Sequence, residues 1–277
     1  YQRQPIIDAD YRSFVDLGFG YAKDRMIFSG LSLSFHANVN AIIGPNAAGK
    51  STLLKCLFGL LPASGKILCD GRDMESMSHE EKMARIAYLP QEETKAGGFT
   101  VFEAVLLGRL PRLRWKVTAE DTDAVMEVLS LLHLEQLSLV PFARLSGGQQ
   151  KLVSIAQTLV RKPQIVLMDE PTNSLDLQKQ LELCETVRSI SRTYDITFII
   201  VLHDLGLAAR FADEAFVFAP GGGLYAYGKP SDVIHSAMLR EVYSVDAQVL
   251  HDEAGIPIVA ARASLRTAGG EKRSADP

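Results

Sequence analysis

Cysteine and tryptophan are scarce in this sequence, which has three cysteines and one tryptophan in 277 residues. Cys56, Cys69 and Cys184 are odd in number and lack the spacing of metal ligands. This argues against a disulfide framework and favours buried thiols in a reducing, cytoplasmic compartment. Neither sign of charge dominates, because 29 basic and 33 acidic residues give a net charge of −4. We therefore expect no chain-wide electrostatic contact with nucleic acid and no nucleic-acid partner.

Long hydrophobic runs are also missing. The longest strongly apolar stretch, Ile196 to Leu202 (ITFIIVL), is far shorter than the ~18–20 residues of a membrane-spanning helix. Its β-branched residues favour a buried strand instead. The N-terminal residues show no basic, apolar and small-residue pattern, so we expect no secretory signal. With 47% hydrophobic and 22% charged residues, a chain of this length can bury a sizeable core, and a disordered or fibrous chain is excluded.

Strand and helix signals alternate along the chain, which favours an α/β fold with a mainly parallel sheet. Besides ITFIIVL, the pattern predicts strands at Asn40–Ile43, Ile165–Met168 and Glu214–Ala219, and helices at Lys50–Leu60 and Asp176–Arg192. The apolar spacing becomes helical between residues 92 and 160, which indicates a helical insertion. Residues 228–262 are expected to form a short helix–strand appendage, and residues 263–277 a polar tail that is mobile.

A phosphate-binding loop follows the first of these strands. The residues that match G-x-x-x-x-G-K-S/T are Gly44, Pro45, Asn46, Ala47, Ala48, Gly49, Lys50 and Ser51, with Thr52 next. Such a strand-to-helix turn directs backbone N–H groups and a helix N-terminus towards an anion. Lys50 is expected to reach the β- and γ-phosphates, and the Ser51 hydroxyl is expected to bind Mg²⁺.

Two carboxylates end the apolar strand IVLMDE, at Asp169 and Glu170. In open α/β sheets, ligands bind beyond the carboxyl ends of strands. We expect Asp169 to hold Mg²⁺ through its water shell and Glu170 to act as the general base on the attacking water. Acidic residues are common at strand ends, so the pair indicates a nucleotide site only because the sequence also has a phosphate loop.

The pentapeptide LSGGQ, from Leu145 to Gln149, lies between these two motifs and opens a predicted helix. In this position it resembles the signature motif of ABC-transporter ATPases. The resemblance implies roles for further residues. Tyr21 would stack on adenine, and Gln91 would contact Mg²⁺ and sense the membrane partner. Ser174-Leu175-Asp176 would form a loop that crosses to the opposite subunit, and His203 would be a switch histidine that contacts the γ-phosphate. The resemblance covers about residues 12–262.

The resemblance implies a P-loop NTPase (RecA-like) core with a mixed sheet, an antiparallel β-subdomain and an inserted α-helical subdomain. It also implies that ATP and Mg²⁺ bind between two copies of the chain arranged head to tail. Ser146, Gly147, Gly148 and Gln149 of one copy then face the phosphate loop of the other, at a helix N-terminus that favours negative charge. The catalytic set it implies is Lys50, Glu170 and His203.

Ala47 departs from the family, whose phosphate loops often have glycine at this position. Alanine would be strained if the loop needs a positive φ there. Because alanine suits a turn with negative φ, we expect a loop of altered stiffness that still binds ATP.

Two C-terminal segments are similar to the importer subgroup for ferric siderophores, haem and vitamin B12: residues 227–234 (YGKPSDVI) and 239–243 (LREVY). This resemblance implies integral membrane permease partners, an extracytoplasmic substrate-binding protein and a peripheral location on the cytoplasmic face of the cell membrane. Residues 92–114 are expected to form a groove for a permease helix, with Phe99 or Trp115 at the contact.

Two other functions stay open at this stage. A soluble ABC ATPase of an assembly system, such as iron–sulfur scaffold assembly, would have the same nucleotide core but a soluble partner. A nucleotide-binding switch that does not hydrolyse ATP is a third reading, although the presence of Glu170 and His203 argues against it.

Overall fold

A computed structural model describes residues 12–22, 25–69, 71–91, 98–110 and 116–265. The strands are β1 (Arg12–Ala22), β2 (Arg25–Phe35), β3 (Val39–Ile43), β4 (Ser64–Cys69), β5 (Arg72–Asp73), β6 (Ile86–Leu89), β7 (Ile165–Asp169), β8 (Thr197–Val201), β9 (Glu214–Phe218), β10 (Leu224–Gly228), β11 (Val245–His251) and β12 (Pro257–Ser264). The α-helices are α1 (Lys50–Phe58), α2 (His79–Arg85), α3 (Val101–Leu106), α4 (Ala119–Leu131), α5 (Gly147–Leu159), α6 (Leu177–Tyr194), α7 (Leu205–Phe211), α8 (Pro230–Val233) and α9 (Ser236–Tyr243).

The central sheet has six strands in the order β10-β9-β3-β8-β7-β6. Neighbours from β9 to β6 are parallel, and β10 pairs antiparallel with β9, so the sheet is mixed. β3, β7 and β8 are buried along their whole length, as expected for strands covered on both faces. Their carboxyl ends lie at one edge, which therefore carries the residues that follow them: Gly44, Glu170 and His203.

A second sheet is antiparallel, in the order β2-β1-β4-β5. Its apolar face packs with α1 and one face of the central sheet in a core that includes Leu17, Phe28, Leu53 and Phe216. The predicted α/β fold with a mixed sheet and an antiparallel β-subdomain is thereby confirmed.

Helices α3, α4 and α5 occupy the stretch where helical spacing was recognised. Each begins with a capping box, in which the cap side chain and the third helical residue bond to each other's backbone N–H: Thr100 with Glu103, Thr118 with Asp121, and Ser146 with Gln149. Arg109, which is buried, donates to Asp121 at 2.6 Å and ties α4 to the turn after α3. The Ser146–Gln149 capping box fixes the start of α5 and hence the backbone of the LSGGQ segment.

Part of the predicted permease groove falls outside the described residues, namely residues 92–97 and 111–115 with Trp115. Within the described part, Phe99 is 41% exposed and Val101 is fully buried. Of the predicted polar tail, residues 263–277, the first two belong to β12, and residues 266–277 lie outside the described residues.

Helix α1 ends at Phe58, two residues before the predicted end at Leu60. Gly59 adopts φ 84° and caps the helix, with its N–H bonded to Cys56 and Lys55 carbonyls. Left-handed glycine is the usual helix stop. Residues 228–262, predicted as an appendage, contain α8, α9 and most of the β11–β12 hairpin, which continues to Ser264. None of the helices in the described residues is long and apolar enough to cross a membrane.

Candidate active site

A cavity of about 570 Å³ lies at the carboxyl edge of the central sheet. Residues from four chain segments line it: Asn46, Ala47, Ala48, Gly49, Lys50, Ser51, Thr52, Gln91, Glu170, Asn173 and His203. The phosphate loop, Gln91 after β6, the residues after β7 and His203 after β8 therefore meet at one place. Their meeting follows from parallel pairing, which puts the ends of β3, β7 and β8 side by side.

The loop between β3 and α1 requires glycine at two positions. Gly44 has φ 152°, and a Cβ there would lie 2.4 Å from the Phe218 carbonyl oxygen. Gly49 has φ 86°, and a Cβ there would lie 2.6 Å from Cγ2 of Ile27. Both glycines let the loop backbone pack against neighbouring strands, so its N–H groups stay open to the cavity.

Ala47 adopts φ 64°, so the expectation of a turn with negative φ is wrong. The left-handed region costs an alanine about 1–2 kcal/mol because its Cβ crowds the following carbonyl oxygen. The loop keeps the backbone shape that the usual glycine would allow, and Ala47 carries strain.

Lys50 is buried and its ammonium group turns back on the loop. Nζ donates to the carbonyl oxygens of Gly44 at 2.8 Å and Pro45 at 2.9 Å. Burial lowers the pKa of Lys50, and the charges of Glu170 and Asp169 oppose this by raising it. The side chain thus sits at the cavity as a positive charge that neutral carbonyl groups hold in place.

Ser51 and Asp169 bring two oxygen donors together. Ser51 Oγ donates to Asp169 Oδ1 at 2.8 Å, and the Tyr88 hydroxyl donates to Oδ2 at 3.3 Å. Burial raises the pKa of Asp169, and the charge of Glu170 adds to that effect, whereas the bonds from Ser51 and Tyr88 lower it. A bound cation would oppose this rise in the pKa of Asp169, because it favours the charged carboxylate.

The oxygen atoms of these side chains fit Mg²⁺ as ligands. A hydroxyl, a carboxylate and the nearby Gln91 amide offer oxygen ligands, which this ion prefers while it keeps waters and substrate phosphates as its other ligands. The described residues contain no group of three His, Cys, Asp or Glu side chains that could hold a metal by themselves. A hydroxyl, a carboxylate and an amide leave other coordination positions of Mg²⁺ to water and phosphate oxygens.

Glu170 is held by three side chains. Its Oε2 accepts from Gln91 Nε2 at 2.7 Å and from Asn173 Nδ2, and its Oε1 contacts Nε2 of His203. Glu170 is buried, and its backbone is left-handed with φ 50°. A non-glycine residue in that region at a cavity is typical of a functional constraint. The carboxylate is fixed at the cavity wall, where it faces the loop.

Tyr21 lies close to the other end of the loop. Its hydroxyl is 3.2 Å from Oγ1 of Thr52, and its side chain is 62% exposed. The ring packs edge-on against Phe19, with centroids 5.0 Å apart. An exposed aromatic face next to α1 is suited to stacking on a planar ring.

The LSGGQ residues lie elsewhere. Ser146 caps α5 and Gln149 completes its capping box, but none of Ser146, Gly147, Gly148 and Gln149 lines the cavity. Asp176 caps the neighbouring helix α6 through the Lys179 N–H at 2.9 Å. The structure thus gathers Lys50, Ser51, Gln91, Asp169, Glu170 and His203 and leaves the LSGGQ residues and Asp176 outside the cavity of their own chain.

Two contacts of this site were missed by sequence reasoning. Asn173 bonds Glu170 and lines the cavity, and Tyr88 bonds Asp169. Asn173 lies three residues after Glu170 in the turn that follows β7, and this proximity was an available signal. Tyr88 lies on β6 opposite Leu167 of β7, a pairing that a single sequence does not display.

The family comparison agrees with this geometry. Residues 28–173 match the family model described as ABC transporter. A Methanocaldococcus jannaschii ABC transporter ATP-binding protein is 42% identical, with 87% of this chain and 94% of the relative covered.

Two further relatives carry more specific names. A Bradyrhizobium diazoefficiens hemin import ATP-binding protein is 37% identical, with 89% and 93% of the two chains covered. The Escherichia coli ferric enterobactin transport ATP-binding protein is 35% identical, with 79% and 82% covered.

A solved structure shares the fold. It is a Clostridium perfringens protein that is part of an ABC transporter complex, 29% identical, with a TM-score of 0.72 over 81% of this chain and 90% of that one. The segment that matches the family model, residues 28–173, contains the phosphate loop, Gln91, LSGGQ and the Asp169–Glu170 pair. The chain therefore belongs to the ABC transporter family, as an ATP-binding and ATP-hydrolysing protein of the importer subgroup.

Proposed function

We propose that this chain is the subunit that energises an importer for an iron chelate, either a ferric siderophore or haem. One observation carries the hydrolytic part of the proposal: a phosphate-loop lysine and a restrained carboxylate line the same cavity. The names of two relatives, for hemin import and for ferric enterobactin transport, support the substrate class. Cobalamin is the third candidate that the resemblance implies.

The described residues fit MgATP. The backbone N–H groups of residues 44–51 and the N-terminus of α1 bind phosphate oxygens. Lys50 leaves the Gly44 and Pro45 carbonyls to contact the β- and γ-phosphates, and Tyr21 stacks on the base. Ser51 and Gln91 would hold Mg²⁺ directly, and Asp169 would hold it through its water shell. When bound, Mg²⁺ neutralises charge that develops on the phosphate oxygens.

Glu170 acts as the general base. Hydrogen bonds from Gln91 and Asn173 and the contact with His203 aim its carboxylate into the cavity. The carboxylate accepts a proton from the attacking water, and His203, released from Glu170, contacts the γ-phosphate. Gln91 directly precedes residues 92–114 in the chain. A permease that contacts this segment can therefore move the Gln91 side chain, which bonds the general base Glu170 and belongs to the proposed metal site.

Two copies of the chain complete each site. Ser146 and the N–H groups of Gly147 and Gly148 are at a helix N-terminus that lies outside the cavity of their own chain. A second copy in head-to-tail orientation brings these groups to the γ-phosphate, with Asp176 at the crossing. Hydrolysis removes the phosphate that joins the copies, and the dimer loosens.

The complex sits on the cytoplasmic face of the cell membrane. Integral permease subunits supply the passage, and an extracytoplasmic binding protein delivers the substrate. A soluble assembly ATPase is not favoured, because the named relatives belong to import systems.

Reconstitution tests this function. The chain, co-expressed with its permease and placed in liposomes with MgATP inside, should drive uptake of a ferric siderophore or of haem, while Lys50→Ala drives none. Uptake of cobalamin alone would overturn the iron-chelate assignment. ATP hydrolysis without any permease association, together with co-purification of soluble scaffold proteins, would overturn the importer function.

A further inference from the structure

Asn173 contacts Glu170 from within the same turn, unlike the other two side chains that hold this carboxylate. Its Nδ2 donates to Glu170 Oε2, and its backbone N–H donates to the Glu170 carbonyl oxygen at 3.2 Å. Gln91 lies beyond the end of β6 and His203 beyond the end of β8, so both come from other strands of the sheet. Asn173 is therefore tied to the backbone of Glu170, whereas the contacts from Gln91 and His203 depend on how separate segments lie.

The turn that carries Glu170 and Asn173 is itself anchored. Thr172 is buried, and its carbonyl oxygen accepts from the Leu175 N–H at 3.3 Å and from Nε2 of Gln180 on α6 at 3.2 Å. Glu170 has a left-handed φ of 50°, which a non-glycine residue keeps where the surrounding structure imposes it. The amide of Asn173 is thus presented to Glu170 by a backbone that other protein groups hold in place.

The other two partners of Glu170 have a second task in the proposed function. Nε2 of His203 contacts Glu170 Oε1, and the same side chain has to leave this oxygen to contact the γ-phosphate. Nε2 of Gln91 donates to Glu170 Oε2 at 2.7 Å, while the oxygen of the same amide is the proposed Mg²⁺ ligand. The metal therefore influences the direction of the Gln91 amide, and the donor to Oε2 that stays independent of metal and phosphate is Asn173.

We propose that Asn173 is a positioning residue for the general base: its Nδ2 holds Glu170 Oε2 while ATP is bound, so that Oε1, vacated by His203, accepts the proton of the attacking water. The inference rests on the proposed function, in which Glu170 is that base. The water gives this proton to Oε1, and its oxygen forms a bond to the γ-phosphorus. The bond from that phosphorus to the β–γ bridging oxygen breaks, and its electron pair leaves with ADP. Asn173 acts on this step through the carboxylate.

Asn173→Ala tests the proposal because it removes the amide donor. A hydrogen bond to a charged group corresponds to about a 10- to 100-fold effect, and a misplaced catalytic group lowers the rate of the chemical step. In steady-state hydrolysis of MgATP by the full chain, kcat should fall by about this factor, while KM stays within about twofold. Asn173→Asp keeps the shape of the side chain but puts a second carboxylate beside Glu170, so it should lower kcat at least as far.

Gln180→Ala is the matched control for a merely structural role. It removes an anchor of the same turn and leaves the Asn173 amide in place, so it should lower the melting temperature and leave kcat within about twofold of the wild type. Equal falls in kcat in Gln180→Ala and Asn173→Ala would overturn the role of Asn173. A wild-type kcat in either Asn173 variant, or a raised KM with unchanged kcat, would overturn it as well.

Glu170→Gln separates the failure of this inference from the failure of the proposed function. If Glu170→Gln nearly abolishes hydrolysis and Asn173→Ala leaves kcat unchanged, Glu170 remains the general base and the positioning role of Asn173 is wrong. If Glu170→Gln hydrolyses ATP at the wild-type rate, the proposed general base is itself wrong.

Discussion

The Ser51 hydroxyl and the Asp169 carboxylate, 118 residues apart in the chain, are joined by a hydrogen bond of 2.8 Å. Ser51 is on the first turn of α1 and Asp169 ends β7. Their contact arises because β3 and β7 flank β8 as parallel strands, which bring both ends to one edge of the sheet. The pair is the structural basis of the proposed metal site.

Ser51→Ala and Asp169→Asn should each raise the Mg²⁺ concentration for half-maximal ATP hydrolysis by about tenfold or more, because each removes a proposed metal contact or its partner. The double variant should fall short of the sum of the two effects, as expected for residues that share a bond. Tyr88→Phe is the control: it removes the other Asp169 partner and should have a smaller effect. Equal Mg²⁺ dependence in the wild type and Asp169→Asn would contradict the metal site.

Ala47→Gly should stabilise the nucleotide-free protein by about 0.5–1 kcal/mol, since relief of the left-handed strain exceeds the added freedom of glycine in the unfolded chain. Urea unfolding measures the change. Ala48→Gly is the control, because Ala48 is fully buried and free of positive φ, and it should destabilise the protein. Destabilisation of similar size in both variants would show that Ala47 is not strained.

If a second copy of the chain completes each site, two chains with different defects should complement each other. Lys50→Ala and Ser146→Arg chains should each be inactive, whereas a mixture should recover ATP hydrolysis, because the mixed dimer has one intact site. Mixing Lys50→Ala with the Lys50→Ala/Ser146→Arg double variant provides the control, since no intact site can form. A mixture as inactive as its components would indicate that each chain completes its own site.

Glu214 should make stability depend on pH. Burial raises its pKa, with a smaller rise from the charge of Asp213, while His36 lowers it. A carboxyl group whose folded pKa is raised stabilises the fold at low pH and loses that contribution as the pH rises through the folded pKa. Glu214→Gln should therefore raise the melting temperature at pH 7, and this gain should shrink as the pH falls towards 4. A gain that is constant with pH would contradict the role of the charge.

Periodicity and motifs were sufficient to predict four central strands, β3, β7, β8 and β9, and the phosphate loop. Buried strands such as β7 have continuous apolar sequences, and the loop residues are adjacent in the chain, so both signals are local. The left-handed φ of Ala47 was predicted wrongly, because the preference of alanine for negative φ was given more weight than the glycine that the family often has at this position.

Contacts between distant segments were predictable only in part. The resemblance predicted that Gln91 and His203 lie at the nucleotide. Their shared contact with Glu170 depends on the order of the strands in the sheet, which the sequence does not show. Tyr88 lies on β6, and its hydroxyl reaches Asp169 because β6 pairs with β7, which a single sequence does not reveal.

Glu170→Gln gives the most direct test of the central claim, that Glu170 activates water at an ATP site shared by two copies. Steady-state ATP hydrolysis and light-scattering mass should be measured on one preparation with MgATP, with the exposed Glu185→Gln as the control variant. Hydrolysis by Glu170→Gln should fall by about 10²–10⁴-fold, and its mass should double only with ATP. Hydrolysis at the wild-type rate, or a monomer at saturating ATP, would contradict the claim.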